Sequence, residues 1–279
     1  MPSPTNRLWI VATPLGNPGD LSPRARHILS SADLVLAEDT RRTARLLTQC
    51  GVEAHRLSSF HDHNEKERQE GVLRMLRHGS TIALVSDAGT PLMADPGYRL
   101  VRACRKEGLP VSPLPGPSAP IAALSAAGIA PLPYSFLGFL PRDNSGRDTL
   151  FRTFAAIPGS LIFFERKDRL KESLLHAAAI LGPREMAICR ELTKEHEEFI
   201  LTRLEAAANL SDELLGELTI IIGPPEQHLR TPQSDVLSHL HEELTSGGKP
   251  REIARRVQDM VCGWTGKEIY GLLHTLLQK

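Results

Sequence analysis

No run of apolar residues in this chain approaches the roughly 18 that cross a bilayer, so no membrane span is expected. The residues ahead of the first apolar stretch, Leu8 to Ala12, hold no long apolar leader core, and the chain is expected to be cytoplasmic. Cysteine is scarce. Cys50, Cys104, Cys189 and Cys262 lie far apart and form no C-x-x-C pair, which argues against a zinc site or a disulfide framework and leaves buried, reduced thiols. Net charge is missing too: 33 basic and 33 acidic side chains cancel, unlike the basic balance of a general nucleic-acid coat protein. Neither a G-x-x-x-x-G-K-[ST] phosphate loop nor a G-x-G-x-x-G turn opening a helix occurs, which argues against a P-loop hydrolase and the usual nicotinamide dehydrogenase.

What is present is a globular composition, 279 residues with 41% hydrophobic and 24% charged, long enough for two domains with a large core. The first 115 residues alternate short apolar runs with amphipathic stretches. Strands are expected at Leu8–Thr13, Leu34–Ala37, Arg56–Ser58, Thr81–Ser86 and Val111–Leu114, with helices at Ser22–Ser30, Arg41–Gln49, Glu65–Arg77 and Tyr98–Glu107. That alternation predicts a parallel sheet covered on both faces. Asn64 is placed to cap the third helix through its side-chain oxygen. After Leu114-Pro115-Gly116-Pro117 an Ala-rich helix leads into a second α/β pattern. Its strands are expected at Tyr134–Leu137, Leu161–Phe164, Met186–Arg190, Phe199–Leu201 and Glu217–Ile222, with helices at Asp148–Ala156 and Arg169–Leu181. Gly223-Pro224-Pro225 closes it, and the remainder reads as helical, including Pro250–Val261 and Gly266–Leu277, with a Thr265/Glu268 capping box. The expected domains are 1–118, 119–228 and a C-terminal helical region, 229–279. Charge is unevenly spread over the last part. Residues 191–245 hold 12 acids and 3 bases, whereas 246–279 hold 6 bases, Lys249, Arg251, Arg255, Arg256, Lys267 and Lys279, and 3 acids. A basic binding face and a plain solvated helix both fit this.

The chemistry-bearing residues sit just after expected strands, where open α/β sheets bind ligands. The segments are Thr13-Pro14-Leu15-Gly16-Asn17, Ala37-Glu38-Asp39-Thr40-Arg41, His61-Asp62-His63-Asn64-Glu65, Ser86-Asp87-Ala88-Gly89-Thr90-Pro91 with Asp95-Pro96-Gly97, and Pro115-Gly116-Pro117-Ser118-Ala119. Each alone is explained as a turn or a helix cap. Together they imply a ligand site at one edge of the first sheet. A cofactor without a pyrophosphate suits them, and S-adenosylmethionine needs what they offer: backbone donors and acceptors, small residues for close approach, and apolar walls.

These segments, in this order, resemble the signature of the bacterial 16S rRNA ribose 2'-O-methyltransferases of the tetrapyrrole methylase superfamily. The match continues through Gly138-Phe139-Leu140-Pro141, Leu161-Ile162-Phe163-Phe164-Glu165, Arg190-Glu191-Leu192-Thr193-Lys194 and Gly216-Glu217-Leu218, covering about Leu8 to Ile222. Phe164 departs from it, standing where Tyr is frequent. The resemblance implies two α/β domains with S-adenosylmethionine in the cleft between them, a homodimer, and 16S rRNA within the small ribosomal subunit as substrate, methylated at a decoding-centre cytidine. By position it assigns Pro14, Leu15, Gly16, Asp87, Thr90, Ser118, Ala119, Phe164 and Leu192 to the cofactor.

Methyl transfer from a sulfonium is an in-line displacement that needs neither a metal nor a covalent intermediate, and a ribose hydroxyl reacts faster if a carboxylate or histidine takes its proton. Glu38, Asp39 and His61 are the candidates, although Glu38 and Asp39 equally suit a partner of Arg41 or a helix cap. His61 and His63 form an H-x-H pair that could chelate, position RNA or cofactor, or face solvent. No ligand set with clear spacing surrounds them, so no metal is expected. Arg41, Arg42, Arg142 and Arg147, with His63, are the candidate RNA contacts. Two rivals remain: a tetrapyrrole methyltransferase of the same fold, and a ribosome-assembly factor that binds RNA without turnover.

Overall fold

The computed structural model describes residues 7–211, 214–226 and 231–277. Residues 1–6 of the leader reading, Lys279 and the expected boundary at 228/229 lie outside the described residues. The first sheet holds β1 (Leu8–Val11), β2 (Leu34–Ala37), β3 (Leu57–Ser59), β4 (Ile82–Val85) and β5 (Val111–Leu114) in the order β3-β2-β4-β1-β5, all parallel. All four residues of β2 and of β4 are buried, as continuous apolar runs in a doubly covered parallel sheet should be. On one face α1 (Pro23–Ser31) and α2 (Thr40–Gln49) pack Ala25, Ile28, Leu29 and Leu47 against Trp9, Val11, Val35 and Val85. On the other, α3 (Glu65–Arg77) and α4 (Tyr98–Lys106) pack Val72, Leu73, Leu76, Leu100 and Cys104 against Leu8, Leu36, Ile82 and Leu84. β1 therefore hands its chain to one face and its neighbour β4 to the opposite one. The two outgoing loops diverge and leave a crevice at the carboxyl ends, the switch point of an open α/β sheet.

The second sheet, β6 (Tyr134–Phe139), β7 (Ser160–Glu165), β8 (Glu185–Arg190), β9 (Glu198–Arg203) and β10 (Leu218–Ile222), runs β6-β7-β10-β8-β9. Only β6 and β7 are parallel; the other three pairs are antiparallel. α6 (Asn144–Phe154), α7 (Leu170–Leu181) and a 3-10 turn, Leu204–Asn209, cover one face. α5 (Ala119–Ala126) covers the other through Ala123 and Leu124 on Ile162, Ala187 and Ile221. α8 (Gln233–Thr245), α9 (Pro250–Met260) and α10 (Gly266–Leu277) follow, around a core of Val236, Leu240, Ile253, Val257, Ile269 and Leu273 that belongs to these helices alone.

Local signals explain the ends of several elements. Ser22 Oγ accepts from Ala25 N with Pro23 opening α1. Thr265 and Glu268 form the expected box, each side chain accepting from the other's backbone N–H. Asn64 does not cap α3 as expected: its Oδ1 accepts from His61 N at 2.9 Å instead, and its Nδ2 donates to Ser59 O, so it ties the loop before the helix. Cys50, Cys104 and Cys189 are buried, whereas Cys262 is exposed in the turn between α9 and α10. No helix among the described residues is long and apolar enough to cross a membrane.

Candidate active site

The crevice between β1 and β4 is laced shut at its base. Thr13 N donates to Gly89 O at 2.9 Å, Gly89 N returns a bond to Thr13 O at 3.0 Å, and Thr90 Oγ1 donates to Pro117 O at 2.9 Å. Loops after β1, β4 and β5 thereby meet. Gly89 has φ +78, and a Cβ there would lie 3.1 Å from Leu15 Cδ2, so both conformation and room call for glycine. Leu15 and Ala119 then reach the second domain: both pack in one apolar cluster with Leu192 and Phe136. Phe164 stacks edge-on against Phe136, with centroids 5.0 Å apart, and lies 5.3 Å from the Phe139 ring. The cofactor-assigned Leu15, Ala119, Leu192 and Phe164 thus form one continuous apolar wall across the two domains.

The floor is completed by the turn Glu191–Lys194. Asn17 N donates to Thr193 Oγ1 at 3.2 Å, and a Cβ on Gly16 would fall 2.2 Å from Lys194 Cγ, so the side chain of Lys194 lies directly on Gly16. Glu191 and Thr193 hold φ +50 and +65, a left-handed backbone that costs non-glycine residues about 1–3 kcal/mol each. The cost is met by fixed bonds: Glu191 Oε1 accepts from Glu217 N at 2.8 Å and from Lys194 Nζ at 3.1 Å. Pro14 is buried beneath, and Ser118 opens α5 with a free hydroxyl as regards capping.

Beside this slot lies an acidic rim. Asp87, at the end of β4, accepts from Asp39 N at 3.3 Å and from Arg42 at 3.0 Å. The carboxylate of Asp39 is occupied as the cap of α2, accepting from Arg41 N and Arg42 N, and those bonds hold its pKa below the usual range. That commitment makes Asp39 a poor proton acceptor. Glu38 is different. Burial first, then Asp87 and Asp62, push its pKa up, against Arg42 and His61. His61 Nε2 sits 3.1 Å from Asn64 Nδ2 and its Nδ1 is buried without a partner, while its ring meets that of His63 at 6.0 Å. No group of three or more His, Cys, Asp or Glu side chains among the described residues is placed to hold a metal ion.

Arg41 and Arg42 in the first turn of α2, His63 in the loop after β3 and Arg142 in the loop after β6 are all exposed. Arg147 is a correction. It is 1% exposed inside α6, donating to Ser173 Oγ at 2.7 Å and Glu172 Oε1 at 2.8 Å, so its charge holds α6 to α7 and cannot meet a phosphate.

Asp95 belongs to a segment the sequence singled out, but was given no role because Asp-Pro-Gly before a helix also reads as a turn or cap. Burial, then Glu38 and Asp87, raise its pKa to about 6, and a hydrogen bond with Ser86 only partly offsets this. The folded protein therefore keeps a proton that the unfolded chain gives up near pH 4, and the native state loses stability as pH rises from about 4 to about 6. Asp95→Asn is expected to gain on the parent across that window, its advantage full above pH 6 and gone below about pH 4. Urea denaturation of both proteins at the two ends of the window checks this; an unchanging difference contradicts it.

Residues 7–208 match the family of tetrapyrrole (corrin/porphyrin) methylases. The chain is 40% identical over 270 residues, 94% of its length and 86% of the relative's, to a protein of Micromonospora olivasterospora named ribosomal RNA small subunit methyltransferase I. It is 42% identical over 272 residues to the Xylella fastidiosa protein of the same name, covering 95% of this chain and 97% of that one. Among solved structures, the uroporphyrin-III C-methyltransferase of Thermus thermophilus complexed with S-adenyl homocysteine superposes with a TM-score of 0.56 at 20% identity, over 78% of this chain and 97% of that one.

Proposed function

Because the chain belongs to the tetrapyrrole methylase family, and within it to the ribosomal RNA small subunit methyltransferase I group, we propose that it methylates the ribose 2'-hydroxyl of a decoding-centre cytidine in 16S rRNA, using S-adenosylmethionine. The coarser part of this, a methyltransferase of rRNA, follows from the group itself. The finer part concerns the atom and the nucleotide. The observation that carries the reading is the cleft: an apolar wall of Leu15, Ala119, Leu192 and Phe136 shared by both domains, bordered by carboxylates.

That donor set fits the cofactor. S-adenosylmethionine carries positive charge on its sulfonium and amino groups, and Glu38, Asp87 and Asp95 supply a negative field beside a slot whose walls are small or apolar. When bound it supplies a methyl group on a sulfonium, which leaves as a neutral thioether. The loops after β1, β4 and β5 would hold it through backbone groups around Leu15, Gly89, Thr90 and Ala119. The remaining task is to align the ribose oxygen and take its proton. A carboxyl that titrates near the working pH does this best, and Glu38 and Asp95 are the two among the described residues whose pKa values are raised. Arg41, Arg42, His63 and Arg142 would steer phosphates at the mouth. We place the enzyme in the cytoplasm, acting as a homodimer on the small ribosomal subunit.

The test is in vitro. Purified protein, labelled cofactor and small subunits from cells lacking this gene should give label in a single alkali-resistant dinucleotide, because a 2'-O-methyl blocks base cleavage at that linkage. Label in a base, or transfer to uroporphyrinogen instead, overturns the ribose assignment.

A further inference from the structure

The three C-terminal helices take no part in either sheet and close around a core of their own. Trp264 Nε1 donates to Thr231 O at 2.7 Å, Thr231 N donates to Cys262 O at 3.0 Å and Cys262 N to Thr231 Oγ1 at 2.9 Å, so the turn between α9 and α10 is fastened down. The family match ends at residue 208, before these helices, whereas the Micromonospora and Xylella relatives named for rRNA align over 94% and 95% of this chain. These helices therefore lie beyond the residues that carry the methylase fold, and their outer faces are free to meet a large substrate.

On the α8 side, Glu243 accepts from Arg256 and cancels it. On the other side of α9, Arg251, Arg255 and Gln258 recur at i, i+4 and i+7 and form one exposed stripe, with the exposed Glu252 and Asp259 beside it. Neither Arg251 nor Arg255 has an ion pair among the described residues. A Cβ on Gly266 would lie 2.8 Å from Gln258 Oε1, so the start of α10 abuts the end of that stripe. There α10 presents Lys267, Tyr270 and His274, also exposed and spaced i, i+3 and i+7. Three cations, an open aromatic and an imidazole on two adjoining helices match the chemistry of a nucleic-acid strand: phosphates for the cations, a base for the ring.

We propose that the joined outer faces of α9 and α10 form a second RNA-binding surface, gripping the phosphate backbone of the substrate rRNA away from the nucleotide that is methylated. This rests on the rRNA reading above. The cleft supplies chemistry and the C-terminal unit supplies affinity, largely without regard to sequence.

The experiment uses the full chain and unmethylated small subunits. Arg251→Ala/Arg255→Ala/Lys267→Ala should raise KM for the particle at least tenfold at physiological salt, with kcat and cofactor affinity unchanged. The dependence of log KM on log salt should weaken by about 2, the loss of three phosphate contacts. The corresponding Arg→Lys double variant, with Lys267 kept, should recover most of the affinity, which a merely structural role for the arginines would not predict. Unchanged KM and salt slope in the triple variant overturn the proposal while leaving the methylation reading intact. A change in oligomeric state without a change in salt slope overturns it in favour of a subunit contact. A wild-type protein that methylates no particle overturns both readings.

Discussion

Asp87→Ala is expected to lower kcat/KM for methyl transfer at least 100-fold while costing the fold only about 1 kcal/mol. The separation of the two effects follows from what Asp87 holds. Its Arg42 partner is 66% exposed at the side chain, so the ion pair is screened and weak as a stabiliser. But Asp87 also accepts from the backbone N–H of Asp39, and through that bond it joins the loop after β4 to the loop after β2. Both loops carry groups of the proposed reaction, and a displacement of about 1 Å in such a constellation is worth a factor of about 100. A second readout separates this from general damage. Asp87 is among the charges that raise Glu38 and Asp95, so its removal should shift the acidic limb of the pH–rate profile to lower pH. A variant with normal activity, or one inactive only because it is unfolded, contradicts the assignment.

The largest loss of stability is expected from Glu165→Ala, about 3–5 kcal/mol in the second domain. Glu165 ends β7 with its side chain 1% exposed, and every bond it makes is short. Oε2 accepts from Ser173 at 2.6 Å and from Arg169 at 2.9 Å; Oε1 accepts from Arg166 N at 2.8 Å. Ser173 in turn receives Arg147, which reaches on to Glu172 and Asn144. Removing the one fully buried carboxylate of this chain of bonds leaves Arg169, 20% exposed, facing only the carbonyls of Leu140 and Pro141, and a guanidinium stranded this way is what makes broken buried pairs expensive. Glu165→Gln keeps the shape and one acceptor and should cost less than half as much. Denaturant melts of both, followed by signals from each domain because multidomain chains commonly depart from two-state unfolding, decide the matter. Equal and small losses contradict it.

How much of this was legible in the sequence depended on the distance over which each signal acts. Leu34–Ala37 was placed to the residue, since a strand covered on both faces writes itself as an unbroken apolar run; the edge strand Val111–Leu114, buried only at its two ends, was placed by the turn residues that follow it. The gathering of loops at one sheet edge followed from alternation alone, because parallel strands put every outgoing turn on the same side. Antiparallel pairing in the second sheet was not readable. β10 inserts between β7 and β8, and no tight hairpin turn announces that order. Arg147 looked like a free surface cation because its partners, Ser173 and Glu172, stand 26 and 25 residues further on. Asp95 and Asp62 stood in singled-out segments but received no role for the same reason: their significance lies in being near Glu38 and Asp87, which only the folded sheet edge brings about. Asn64 had the right residue type for a cap, but the bend His61–Asn64 gave its oxygen a closer donor.

The most direct test of the central claim is mass spectrometry of small-subunit rRNA nucleosides from cells with and without this gene. The account predicts that one 2'-O-methylated cytidine of the decoding centre disappears on deletion, returns with the wild-type gene, and does not return with Asp87→Ala expressed to the same level. An unchanged ribose-methylated cytidine in the deletion strain would contradict it.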